Sequence, residues 1–160
     1  MNQRKSQNMA VIGGGTMGVG IAYVFAVAGW QEYVVEPDAL RIATMQNILQ
    51  TAAAGGLKRG KLTAAQAEHA SEGVERFASV QDLPRFLDLV IESIPERLDL
   101  KTKVLAEVAD RQPRLVASNT SALSISELAK SVIDPSLFVG MHFFNPVPLM
   151  KLVEVVQAEK

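Results

Sequence analysis

The chain has 160 residues, a net charge of −1 at neutral pH and no cysteine. That length suits one domain with its own core, and the near-neutral balance provides no long-range attraction for nucleic acid or an anionic membrane. The lack of cysteine excludes disulfides, thiolate metal sites and a cysteine nucleophile.

Met1 to Asn8 is polar and lacks an apolar stretch of its own, so it reads as a flexible leader rather than a secretory signal. The organising feature follows. Met9 to Ile12 is a short apolar strand, Gly13-Gly14-Gly15-Thr16-Met17-Gly18 is a tight turn, and Thr16 to Ala28 carries a helix pattern. This is the context that the G-x-G-x-x-G motif requires. Gly13 permits the turn, Gly15 keeps side-chain atoms away from an approaching pyrophosphate, and Gly18 lets helix and strand pack closely. With Thr16 and Met17 they form a phosphate-binding helix start, where free N–H groups and a partial positive charge favour an anion. A second strand, Glu32 to Val35, ends at Glu36, about twenty residues beyond the glycines, where a carboxylate accepts hydrogen bonds from ribose hydroxyls. Pro37-Asp38 supplies no immediate cation for a 2′-phosphate, which favours NAD over NADP.

Asp38 caps a long helix, which Gly55-Gly56 is expected to break or bend. The basic turn Lys58 to Lys61 reads as a solvated connection or as a contact for the phosphates of an acyl carrier such as coenzyme A. Thr63 opens another helix, on which His69 is expected at the surface. Phe77 to Ser79 is a weak strand and Asp82 to Phe86 a connector. Asp88 to Glu92 has the apolar run of a buried parallel strand. A helix from about Leu98 to Val108 is stopped by Pro113. Then come a strand at Leu115 to Ser118, a short helix at Ser124 to Lys130, and strands at Phe138 to Met141 and Leu152 to Val156. Alternating strands and helices predict an α/β fold, a doubly wound and mostly parallel sheet of Rossmann type, forming one NAD-binding domain over residues 9–160.

Ligands bind at the carboxyl ends of strands in such sheets. Ser118-Asn119-Thr120-Ser121 and His142-Phe143-Phe144-Asn145-Pro146 fall there, and Glu154 stands among valines in the last strand. His142 is the general-base candidate, because imidazole titrates near neutral pH at about 6.5. Glu154 is its candidate orienting partner. On the residues alone the two read equally well as a core histidine and an edge-strand glutamate. No cluster has metal-ligand spacing.

The glycine turn, Ser118-Asn119-Thr120-Ser121 and the run His142 to Val156 (HFFNPVPLMKLVEVV) together resemble the NAD-binding domain of the L-3-hydroxyacyl-CoA dehydrogenases. The resemblance covers nearly the whole chain from Met9 onward. It implies NAD-dependent oxidation of the 3-hydroxyl of an acyl-CoA, with His142 as catalytic base and Glu154 as its partner. Ser121 and Asn145 would contact both the substrate oxygen and the nicotinamide side, and Glu96 and Lys101 would contact NAD. Lys58 and Lys61 lie where the family approaches coenzyme A.

Two departures stand out. Glu36 occupies a position where the family often has Asp, and the family's helical C-terminal domain, which completes the acyl-CoA pocket, has no counterpart in these 160 residues. The implied setting is cytoplasmic, with an acyl-CoA substrate, no nucleic acid, no membrane, and a homo-oligomer or the remainder of a longer enzyme as partner. The alternatives are a non-catalytic NAD-binding module and a related 3-hydroxyacid dehydrogenase that uses a lysine base.

Overall fold

The computed structural model describes residues 7–158. The first six residues of the expected leader, and Glu159 with Lys160, lie outside them. Asn8 belongs to the sheet rather than to a leader. Its backbone N–H donates to the Asp88 carboxylate at 3.1 Å, while its side-chain oxygen accepts from Asp88 N–H at 2.9 Å. That reciprocal pair ties the start of the first strand to the start of the fourth.

The elements are β1 (Asn8–Ile12), α1 (Thr16–Val27), β2 (Gln31–Val35), α2 (Ala39–Lys58), α3 (Ala64–Glu72), β3 (Glu75–Phe77), β4 (Leu89–Glu92), α4 (Leu98–Ala109), β5 (Val116–Ser118), α5 (Ile125–Ala129), β6 (Phe138–Phe143) and β7 (Val153–Gln157). The seven strands are ordered β3-β2-β1-β4-β5-β6-β7. All neighbours are parallel except β6 and β7, which are antiparallel. The chain winds outward from β1 in one direction and from β4 in the other, so a crevice opens between the carboxyl ends of β1 and β4. Two apolar layers sandwich the sheet. One includes Met9, Val11, Ile21 and Leu49, and the other Ala10, Ile12, Val90 and Leu105. Alternate residues of β1 thus face opposite layers.

Three local expectations change. Helix α2 runs unbroken through Gly55-Gly56, because tertiary packing holds it. A Cβ on Gly56 would sit 2.7 Å from Leu62 Cδ1, so the glycine serves close approach rather than a bend. The weak third strand lies two residues earlier than expected, where Tyr33, Val34 and Val35 pair with Glu75, Arg76 and Phe77. His69 is half-buried, and its Nε2 donates to the Trp30 carbonyl at 2.7 Å, tying α3 to the turn between α1 and β2.

Candidate active site

The glycine turn sits at the crevice. Gly13 has φ +108°, and a Cβ there would meet the Ser93 carbonyl oxygen at 2.7 Å. A Cβ on Gly18 would lie 1.9 Å from the Gly13 carbonyl oxygen, so helix α1 can start this close to β1 only without a side chain. Gly15 differs, since its Cβ would meet nothing within 4 Å. It caps α1 without a side-chain hydrogen bond, and no acidic residue lies in the first turn. The N–H groups there are therefore open to an anion.

A cavity of about 560 Å³ runs past this turn, lined by Gly13, Gly15, Thr16, Met17 and Glu36 among others. Glu36 is buried, with Oε2 accepting from Gly14 N–H and Oε1 from Asp38 N–H, each at 3.0 Å. Its carboxylate thus braces the glycine turn from the side. Arg41, one turn into α2, also lines this cavity. The expectation that no cation follows Glu36 holds for the next two residues but not for the folded site, because the helix brings Arg41 back to the wall.

A second cavity of about 330 Å³ shares Met17, Ser93 and Ile94 with the first, so the two adjoin. It brings together Met17, Glu96, Ser121, His142 and Asn145. His142 is near the carboxyl end of β6, where the strand extends two residues beyond the expected Met141. Its cross-strand partner on β7 is Glu154, and Nδ1 lies 3.0 Å from Glu154 Oε2. Because a carboxylate accepts, Nδ1 carries the proton, and Nε2 is left as the basic nitrogen. Phe144 lies against the imidazole, with ring centres 4.4 Å apart.

Below this cavity Glu96 and Lys101, expected as NAD contacts, join a charged network centred on Glu92, whose part the sequence did not reveal. Glu92, at the end of β4, is fully buried. It accepts from Lys101 Nζ at 2.7 Å, Ser118 Oγ at 2.6 Å and Ile94 N–H at 2.7 Å. Lys101 is only 1% exposed and also lies 3.3 Å from Glu96. Its ammonium is enclosed by two carboxylates and the Ile94 carbonyl, so it reaches the cavity through Glu96 rather than through its own surface. Glu96 accepts from the Thr120 hydroxyl and from Ser121 and Ala122 N–H at 3.0 and 3.1 Å. Partial burial pulls its pKa up, but the Thr120 hydroxyl, Lys101 and the two backbone donors outweigh this and hold it below the usual value. Asn119 completes the frame. It accepts from Phe143 N–H at 2.9 Å and donates to Ser93 Oγ at 3.1 Å, joining the loops after β4 and β5 to the end of β6. The signal for Glu92 was a carboxylate ending an apolar strand, with Lys101 nine residues on.

Lys58 and Lys61 are exposed at the far end of α2, and neither lines the cavities at His142 or the glycine turn. Among the described residues, no group of three or more His, Cys, Asp or Glu is placed to hold a metal. Among the described residues, no helix is long and apolar enough to cross a membrane.

A doubly wound sheet, an open helix start at its crevice, a buried carboxylate beside the glycine turn and an adjoining His-Glu pair define a dinucleotide-binding domain. Residues 8–160 match the family model described as the NAD binding domain of 3-hydroxyacyl-CoA dehydrogenase, and the chain belongs to that family. It is 42% identical over 153 residues to the fatty acid oxidation complex subunit alpha of Pseudomonas savastanoi pv. phaseolicola, a match covering 94% of this chain and 21% of that one. It is 40% identical over 154 residues to 3-hydroxyadipyl-CoA dehydrogenase of Escherichia coli K12, covering 94% and 32%. Among solved structures, it superposes on (S)-3-hydroxybutyryl-CoA dehydrogenase PaaH1 from Ralstonia eutropha with a TM-score of 0.88 at 35% identity. That match covers 96% of this chain and 55% of the other. The chain therefore spans between a fifth and a third of the length of these curated relatives. The cofactor of this domain is NAD, and the open Gly15 wall and uncapped helix start fit its pyrophosphate.

Proposed function

We propose that this chain carries the proton-transfer and cofactor half of an NAD-dependent L-3-hydroxyacyl-CoA dehydrogenase. The observation that supports this most directly is the His142-Glu154 pair beside a cavity continuous with the glycine turn. Gly13, Gly15, Thr16, Met17 and Gly18 build the pyrophosphate cradle, and Glu36 takes the ribose. When bound, NAD supplies the nicotinamide carbon that accepts the hydride. His142 Nε2 takes the proton of the 3-hydroxyl, and Glu154, hydrogen-bonded at Nδ1, stabilises the imidazolium. Ser121 and Asn145, on the same cavity, hydrogen-bond the substrate oxygen as charge develops on it. Glu96 and Lys101 fix the turn that presents Ser121.

Lys58 and Lys61 would meet coenzyme A phosphates outside the cavities at His142 and the glycine turn. The apolar side chains exposed on and before β7, including Leu149, Leu152, Val155 and Val156, are suited to contact with the remainder of a longer enzyme or with a second copy. We assign the protein to the cytoplasm.

The test is NADH formation from NAD and a short L-3-hydroxyacyl-CoA, with His142→Ala as control and NAD titrated separately by calorimetry. Turnover that the control abolishes is the expected result. NAD binding without turnover would instead favour a cofactor-binding module that needs further sequence to act. A related 3-hydroxyacid dehydrogenase would turn over the free acid and ignore the thioester.

A further inference from the structure

The part of the cavity beyond Glu36 has a charge arrangement that ribose binding alone does not use. Glu36 is 5% exposed, and two backbone N–H groups, of Gly14 and Asp38, point at its two oxygens. Converging backbone donors of this kind make an anion-binding concavity. Here the anion is the protein's own carboxylate. Arg41 lines the same cavity, and its ion pair with Asp38 is long, 3.6 Å from Nε, with both side chains about half exposed or more. Glu107, on α4, is the other acidic side chain of the lining besides Glu36.

NAD and NADP differ by a phosphate on the adenosine ribose, at the position Glu36 serves. A carboxylate suits two hydroxyls and repels a phosphate, whereas a nearby arginine suits the phosphate. We propose that Arg41 is a second determinant of cofactor choice: it stands where a 2′-phosphate would be neutralised, and the charge of Glu36 keeps that site closed to NADP. With the carboxylate neutralised or removed, two backbone donors and a guanidinium remain beside an open cavity, which is the donor set of a phosphate site.

The proposal extends the NAD assignment and is tested by binding, so it needs no turnover. NADH and NADPH are titrated by nucleotide fluorescence into the wild-type chain, Glu36→Gln, Glu36→Ser, and each of these combined with Arg41→Ala. Glu36→Gln retains an oxygen for the Gly14 N–H and so keeps the turn braced if the shorter serine does not. The wild type is expected to prefer NADH. The ratio of NADPH to NADH affinity rises about tenfold or more in the Glu36 variants, equivalent to about 1.4 kcal/mol, and falls back when Arg41→Ala is added. The gained NADPH binding also weakens with added salt more steeply than NADH binding does.

An unchanged ratio in both Glu36 variants while NADH still binds would overturn the proposal. So would a raised ratio that survives Arg41→Ala. Failure of the wild type to bind NADH would instead overturn the assignment of the glycine turn, and the proposal with it.

Discussion

His142 on β6 and Glu154 on β7 are direct cross-strand partners, so the antiparallel register brings imidazole and carboxylate within reach of their 3.0 Å contact. Partners in such a pair project to the same face of the sheet. A one-residue slip of β7 would place Val153 or Val155 opposite His142 and turn Glu154 to the other side.

Glu154→Gln keeps an acceptor for Nδ1–H and removes the charge that stabilises the imidazolium. The rate of NADH formation is expected to fall by about a hundredfold or more, read from steady-state kinetics with a short L-3-hydroxyacyl-CoA. A loss of less than about threefold would mean that the pair is structural.

Gly15 and Gly18 should separate binding from folding. Gly15→Ala places a methyl group in open cavity, at a φ of −73° that any residue adopts. Its thermal midpoint should stay near wild type while NAD affinity drops by roughly tenfold. Gly18→Ala drives a methyl group into the Gly13 carbonyl, so calorimetry should show an unfolded or strongly destabilised chain.

Lys101→Met leaves Glu92 as a buried charge without its cation. Urea unfolding should show a loss of about 3–5 kcal/mol, the usual cost of breaking a buried pair. Adding Glu92→Met should recover much of it, since replacing both charges with apolar groups removes the uncompensated one. Equal stability of the single and double variants would contradict this coupling.

Glu32, on β2, is fully buried, and neither of its carboxylate oxygens has a hydrogen-bond partner among the described residues. Burial pushes its pKa up to about 9. The folded chain therefore holds a proton that the unfolded chain releases near pH 4.5, so this group's contribution to stability is fully present below that pH and is lost as pH rises. Its contribution to the slope approaches ~1.4 kcal/mol per pH unit between these two values and levels off above about pH 9. Glu32→Leu should raise the urea midpoint at pH 8 and remove most of this slope. An unchanged slope would show that the carboxylate finds a partner in solution.

The sequence by itself determined the order of strands and helices, the glycine turn with its carboxylate about twenty residues on, and the histidine that ends a strand. Each is a local pattern: apolar periodicity, backbone freedom at glycine, or chemistry written in adjacent residues. Only the tertiary structure decided what those residues meet. Glu92 and Lys101 belong to separate elements, a strand end and a helix, and they become a buried ion pair because β4 and α4 pack at that point. Arg41 lies outside the motif that its cavity completes, and α2 runs straight through Gly55-Gly56 because Leu62 and Tyr23 pack against it. Periodicity along one segment carries no information about register or distance to another, and those relations set the burial, the charge pairing and the geometry of this site.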